Sequence, residues 1–157
     1  MQKITRKIAE QLTENQQSLA VAESCTGGWL SKVCTDLPGS SKWFERGFVT
    51  YSDRAKIQML GVNKNTIEIY GAVSEQTVRE MVVGTLSHSS AHWGIAISGV
   101  AGPDGGTKVN PVGTVWFAWL ESGRTPVSMK KRFTGGREKI RQRSVEFALE
   151  ELSKLLK

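Results

Sequence analysis

Histidine and cysteine are scarce in this sequence, with two of each in 157 residues, and only four prolines interrupt it. Cys25 and Cys34 stand nine positions apart, without a C-x-x-C spacing or a neighbouring histidine, so they give no zinc-site pattern. In a reducing compartment both are expected to be free thiols. No grouping of histidines and carboxylates at ligand spacing points to another metal. His88 and His92 share one connector, and G-x-S-x-G is missing, so a Ser-His-Asp triad has no support. The longest uncharged apolar run, Val112 to Leu120, is too short to span a bilayer. The start, Met1-Gln2-Lys3-Ile4-Thr5, lacks the apolar core of a signal peptide, so a cytoplasmic location is expected. Internal repeats and low-complexity tracts are also missing. A hydrophobic fraction of 39% and 16 glycines then fit one folded α/β domain over residues 1–157.

Acidic residues are the next shortage: 15 against 21 basic ones, for a net charge of +6. The excess is local. Lys130, Lys131, Arg132, Arg137, Lys139, Arg141 and Arg143 lie close together, opposed only by Glu138. Such a cluster suits a nucleic acid or a small phosphorylated substrate, or is simply a solvated helix face. The interleaving of aromatic and basic residues found in common nucleic-acid modules is missing, which ranks nucleic acid last among the partners.

What is present centres on Ala22-Glu23-Ser24-Cys25-Thr26-Gly27-Gly28. Ser18 to Ala22 reads as a short buried strand, and Trp29 to Cys34 carries apolar residues at helical spacing. Hydroxyl and thiol side chains therefore fall at a strand-to-helix turn, where the first N–H groups of a helix lack internal partners and attract anions. Ser24 is a candidate nucleophile there, with an oxyanion or phosphate cradle at Gly27 and Gly28. Ser24 or Thr26 as a plain N-cap is the competing reading. Cys25 is a second candidate nucleophile, against the commoner role of a small buried thiol.

Along the chain, Ile4, Ile8 and Leu12 mark an amphipathic helix over 3–14, and Arg46 to Tyr51 reads as a strand. Ser52 to Gly61 has the cap signals of a short helix, with Lys56 over the same patch as Ser52 and Asp53. Lys56 and Tyr51 then face one site, unless Lys56 only pairs with Asp53. A short helix and loop over 63–71 precede a helix capped by Ser74, and Trp93 to Ser98 is a buried strand. It opens into the glycine-rich stretch Gly99 to Gly106, suited to wrapping a ligand or else a plain surface loop. Segments 111–120 and 127–133 read as an antiparallel hairpin, and a long helix closes the chain with Arg137, Arg141 and Arg143 in its first turns. Alternating helices and strands plus one hairpin predict a three-layer α/β/α sandwich with a mixed sheet. A serine hydrolase without histidine needs another base, and a buried, neutral lysine can serve; Lys56, with Tyr51 beside it, is best placed.

Five motifs occur in one order: Ala22 to Gly28; Thr50-Tyr51-Ser52 with Lys56; Gly71-Ala72-Val73-Ser74; Ser98 to Pro103; and Pro111 to Val115. Through them the chain closely resembles the CinA C-terminal domain family, the nicotinamide-nucleotide amidases, over nearly its whole length. The resemblance implies hydrolysis of the carboxamide of nicotinamide mononucleotide to nicotinate mononucleotide and ammonia, without metal or cofactor, often in a homodimer. Carried across, Ser24 is the nucleophile, Lys56 the base and Tyr51 its partner. Thr26, Gly27, Gly28, Ser98, Gly99, Ala101 and Gly102 would line the ligand site, with Arg137 or Arg141 for the 5′-phosphate. The family often has Asp or Asn between a glycine and the arginine; here Gly136 stands in that place. The family also holds stand-alone paralogues, so the alternative is a module that binds a nucleotide and has no turnover.

Overall fold

A computed structural model describes residues 1–156. Its five strands are β1 (Leu19–Glu23), β2 (Phe44–Val49), β3 (Trp93–Gly99), β4 (Thr114–Glu121) and β5 (Val127–Arg132). They form one sheet in the order β2-β1-β3-β4-β5, with β1 parallel to both neighbours and β4 and β5 antiparallel. The expected mixed sheet is therefore present. The strand expected over Arg46–Tyr51 lies two residues earlier, because Thr50 leaves the extended run and its carbonyl turns to Lys56.

The two faces of the sheet differ in side-chain size, which sets where helices sit. Ala22, Ala96 and Ala118 lie side by side across β1, β3 and β4 and form a low row. Onto it packs α5 (Glu75–Ser87) through Val78, Met81 and Val82, and α3 (Asp53–Leu60) and α4 (Lys64–Tyr70) pack against α5, adding Leu60 and Ile67 to the same core. A Cβ on Gly94 would come within 3.0 Å of Val82, so α5 lies against bare backbone there. The opposite face carries Val21, Ile95, Ile97, Phe117 and Trp119. It is covered by α1 (Gln2–Glu14), α2 (Trp29–Thr35) and α6 (Arg137–Leu155), which bury Ile8, Leu12, Leu30, Val145, Leu149 and Leu152. Large residues on one face and small ones on the other keep both helix layers at packing distance. Trp119 fixes the height of α6, its indole N–H donating to the Ala148 carbonyl at 3.0 Å.

The helix ends follow the local chemistry of the sequence. Ser52 and Ser74 cap α3 and α5, accepting from the Ala55 and Thr77 amides, and Gly61 ends α3 at φ 69°. Among the described residues no helix is long and apolar enough to cross a membrane.

Candidate functional site

The carboxyl ends of β1, β2 and β3 lie side by side, and the chain leaves them toward opposite faces of the sheet, the usual place for a ligand crevice. A cleft of about 240 Å³ opens there. Ser24, Lys56, Ser98 and Ala101 line its buried part, Gly99 is half-buried beside them, and Tyr51, Asp53 and Arg137 line its mouth. Cys25, Ala72 and Val73 complete the wall. A larger groove of about 480 Å³ between α1 and the stretch 37–43 carries no such convergence of reactive groups.

Ser24 directly follows β1, and its amide donates to the Ile97 carbonyl of β3 at 3.0 Å, which ties this residue to the sheet. Lys56 reaches it from the first turn of α3. Its Nζ lies 3.0 Å from Ser24 Oγ and donates to the Thr50 carbonyl at 2.9 Å. Lys56 is 1% exposed, and that burial lowers its pKa below the ordinary lysine range, with Asp53 and Cys25 opposing. The alternative of an Asp53–Lys56 ion pair is not what forms: Asp53 stays at the exposed rim while Lys56 turns inward. A neutral amine at this position keeps a donor for Thr50 and a lone pair for the serine hydroxyl. The Cys25 thiol is pushed up to about 12 by burial, so it is not a thiolate at neutral pH.

The turn itself departs from expectation. Gly27 and Gly28 do take left-handed backbone, at φ 58° and 97°, as a sharp strand-to-helix turn requires. Their N–H groups are already occupied, however, that of Gly27 by the Ser24 carbonyl and that of Gly28 by Glu23. Glu23 is fully buried, and its carboxylate accepts from the amides of Gly28, Leu30 and Ser31 and from the Ser31 hydroxyl at 2.8–3.1 Å. Neither Ser24 nor Thr26 caps α2; Gly28 holds the N-cap position and Glu23 supplies the acceptor from the sheet. Among the described residues, the N–H groups of Cys25 and Thr26 are the ones in the turn without an acceptor. Sequence reasoning missed Glu23, and the available signal was an acid at the end of a buried strand just before a helix start.

The remaining candidates divide. Ser98, Gly99 and Ala101 line the cleft, and Ser98 Oγ donates to the Ala72 carbonyl at 2.8 Å. Thr26 is fully buried, and Thr26, Gly27 and Gly28 shape the turn without lining the cleft. Gly102 contributes a carbonyl that accepts from Arg137 Nη1 at 2.7 Å. Arg137 Nη2 donates to the Tyr51 hydroxyl at 2.9 Å, so Tyr51 partners Arg137 at the mouth and not Lys56 on the floor. Arg141 does not face the cleft: its Nε and Nη2 each donate at 3.0 Å to the carbonyls of Cys25 and Thr26, over the Trp29 ring. Two other members of the basic cluster, Lys130 and Lys131, lie over Trp116 and Phe147 respectively. The cluster is thus distributed over different jobs rather than forming one stripe. Gly136 is the N-cap of α6 and supplies no side-chain bond, which is the position a family Asp or Asn would cap. Among the described residues no group of three or more His, Cys, Asp or Glu is arranged to hold a metal.

Fold and site together define a three-layer α/β/α protein with a Ser–Lys pair in a crevice at the ends of its parallel strands. The CinA C-terminal domain family matches residues 1–156, and the chain belongs to that family. It is 45% identical over 152 residues to nicotinamide-nucleotide amidohydrolase PncC of Escherichia coli K12, covering 97% of this chain and 92% of that one. It is 46% identical to a CinA-like protein of Thermotoga neapolitana, over 99% of this chain and 38% of that longer protein. The crystal structure of competence/damage inducible protein CihA from Agrobacterium tumefaciens superposes with a TM-score of 0.97 at 39% identity, covering 99% and 95% of the two chains.

Proposed function

We propose that this protein hydrolyses the carboxamide of nicotinamide mononucleotide to nicotinate mononucleotide and ammonia, with Ser24 as nucleophile and Lys56 as base. The observation that carries the mechanism is the buried Lys56 amine, depressed in basicity and 3.0 Å from Ser24 Oγ. The PncC relatives supply the substrate by their names.

Lys56 takes the Ser24 proton as Oγ adds to the carboxamide carbon, and the C=O pair moves onto oxygen. The unpaired N–H of Cys25, a residue that lines the cleft, receives that oxyanion, in place of the Gly27–Gly28 pair. The C–N bond then breaks, Lys56 protonates the departing nitrogen, and ammonia leaves. Water adds to the acyl-enzyme, its proton passing through Lys56 back to Ser24 Oγ as the ester C–O bond breaks. Tyr51 and Arg137, joined across the mouth, hold the nucleotide end of the substrate. Arg137 also borders a shallow hollow over the first turn of α6, with Lys139, Gln142 and Glu138, which suits the 5′-phosphate. Arg141 is removed from that role by its two carbonyls. The family resemblance makes a homodimer in the cytoplasm the expected form.

The test is ammonia release from nicotinamide mononucleotide by wild type and Ser24→Ala. The expected result is release from wild type alone. Equal rates would exclude the serine mechanism, and calorimetric binding without release from wild type would favour the nucleotide-binding paralogue.

A further inference from the structure

The turn around Ser24 is gripped by one cation through two consecutive peptide groups. In a trans peptide the C=O and the N–H point in opposite directions. Arg141 Nε holds the Cys25 carbonyl at 3.0 Å, so the N–H of the same peptide, that of Thr26, points away from the guanidinium with no acceptor. Arg141 Nη2 holds the Thr26 carbonyl at 3.0 Å, and the N–H of that peptide, that of Gly27, donates to the Ser24 carbonyl at 3.0 Å. The peptide bearing the Ser24 carbonyl ends in the Cys25 N–H, which again has no acceptor among the described residues. Both free donors beside Ser24 therefore terminate chains of peptide dipoles that begin at one guanidinium. Hydrogen bonds in series polarise one another, and a charge at the carbonyl end makes the N–H at the far end a stronger donor.

We propose that Arg141 is a positioning residue for the reaction: through the Thr26 carbonyl, the Gly27 N–H and the Ser24 carbonyl it orients and polarises the Cys25 N–H, which receives the oxyanion. The inference rests on the serine reading above. When Ser24 Oγ bonds to the carboxamide carbon and the π pair moves to oxygen, the negative charge meets an amide already aligned by a fixed cation. The fork geometry is needed because two carbonyls are held at once; an ammonium in the same place reaches one. The Trp29 ring under the guanidinium, 5.4 Å from its carbon, and the glycine at 27, whose Cβ would sit 3.4 Å from Nη2, keep the fork in register. Since Arg141 does not line the cleft, its loss acts on the transition state and not on substrate binding.

The experiment compares wild type, Ser24→Ala, Arg141→Lys and Arg141→Ala in ammonia release from nicotinamide mononucleotide. It also measures binding of pyridine-3-boronic acid, which forms a tetrahedral adduct with a nucleophilic serine. Arg141→Lys should lower kcat by roughly 10- to 100-fold with KM within about twofold, somewhat less than removal of an oxyanion donor itself. Boronate affinity should fall by a similar factor, and added guanidinium should restore part of the activity of Arg141→Ala. Arg141→Lys keeps the charge and the stem over Trp29, so it reports even where the alanine variant does not fold. Unchanged kcat and boronate affinity in Arg141→Lys, or a loss confined to KM, overturns the proposal. A wild type that neither binds the boronate nor exceeds Ser24→Ala in ammonia release overturns the serine reading itself.

Discussion

Replacing Glu23 by glutamine should destabilise this protein measurably. The substitution preserves shape and removes one acceptor oxygen from a site with no exposure to water. At present Oε2 accepts from the Gly28 and Leu30 amides at 3.1 and 3.0 Å, and Oε1 from the Ser31 amide and hydroxyl, both at 2.8 Å. The least costly orientation of the new side chain keeps its carbonyl oxygen on Gly28 and Leu30 and turns the NH2 toward Ser31. The Ser31 hydroxyl can rotate to accept, but the Ser31 N–H then faces another donor. An orphaned buried donor costs about 1–3 kcal/mol, and the two surviving bonds fall from charge-assisted to neutral strength, about another 1 kcal/mol. The sum is about 2–4 kcal/mol, a large part of the stability of an ordinary domain. For a chain of this size each kcal/mol moves Tm by about 2–4 °C, so calorimetry should read a drop of roughly 5–15 °C. A Tm within 1 °C of wild type, with an unchanged urea midpoint, would refute the idea that this carboxylate holds the start of α2.

Because burial depresses the Lys56 pKa, kcat/KM should rise with pH through that lowered value and fall on its acid side as the amine charges. Stability should rise with pH as well, since between the folded and the ordinary lysine pKa the unfolded chain binds the extra proton; Lys56→Met should flatten that rise and abolish turnover at every pH. An acid limb that survives in Lys56→Met would assign it to another group. Gly136→Asn should stabilise by about 1 kcal/mol, roughly 3 °C in Tm, by adding an N-cap acceptor and removing glycine freedom. The site tolerates it, with φ −73° and nothing within 4 Å of the added Cβ. A lower Tm in the asparagine variant would refute the capping account.

The sequence by itself determined the elements and their kind. Period-3.6 spacing at Ile4, Ile8 and Leu12, serine caps at Ser52 and Ser74, and the continuous apolar run from Trp93 each act through neighbours a few residues away. For the same reason the local turn at Ser24 and the short helix carrying Lys56 were legible; that the two meet followed from the need for a base other than histidine and from the family motifs, and Nζ lies 3.0 Å from Oγ. What only the tertiary structure decided is which polar groups are already satisfied. Whether Gly28 offers its N–H to a ligand depends on Glu23, five residues back on a strand; whether Arg141 binds phosphate depends on carbonyls 115 and 116 residues away. Tyr51 stands near Lys56 in the chain, yet its hydroxyl accepts from Arg137, 86 residues on, because α6 begins at the mouth of the cleft. Hydrogen bonds are exclusive and non-local, whereas caps and periodicity are short-ranged, so a linear reading locates the reactive groups but cannot show which of them are left free.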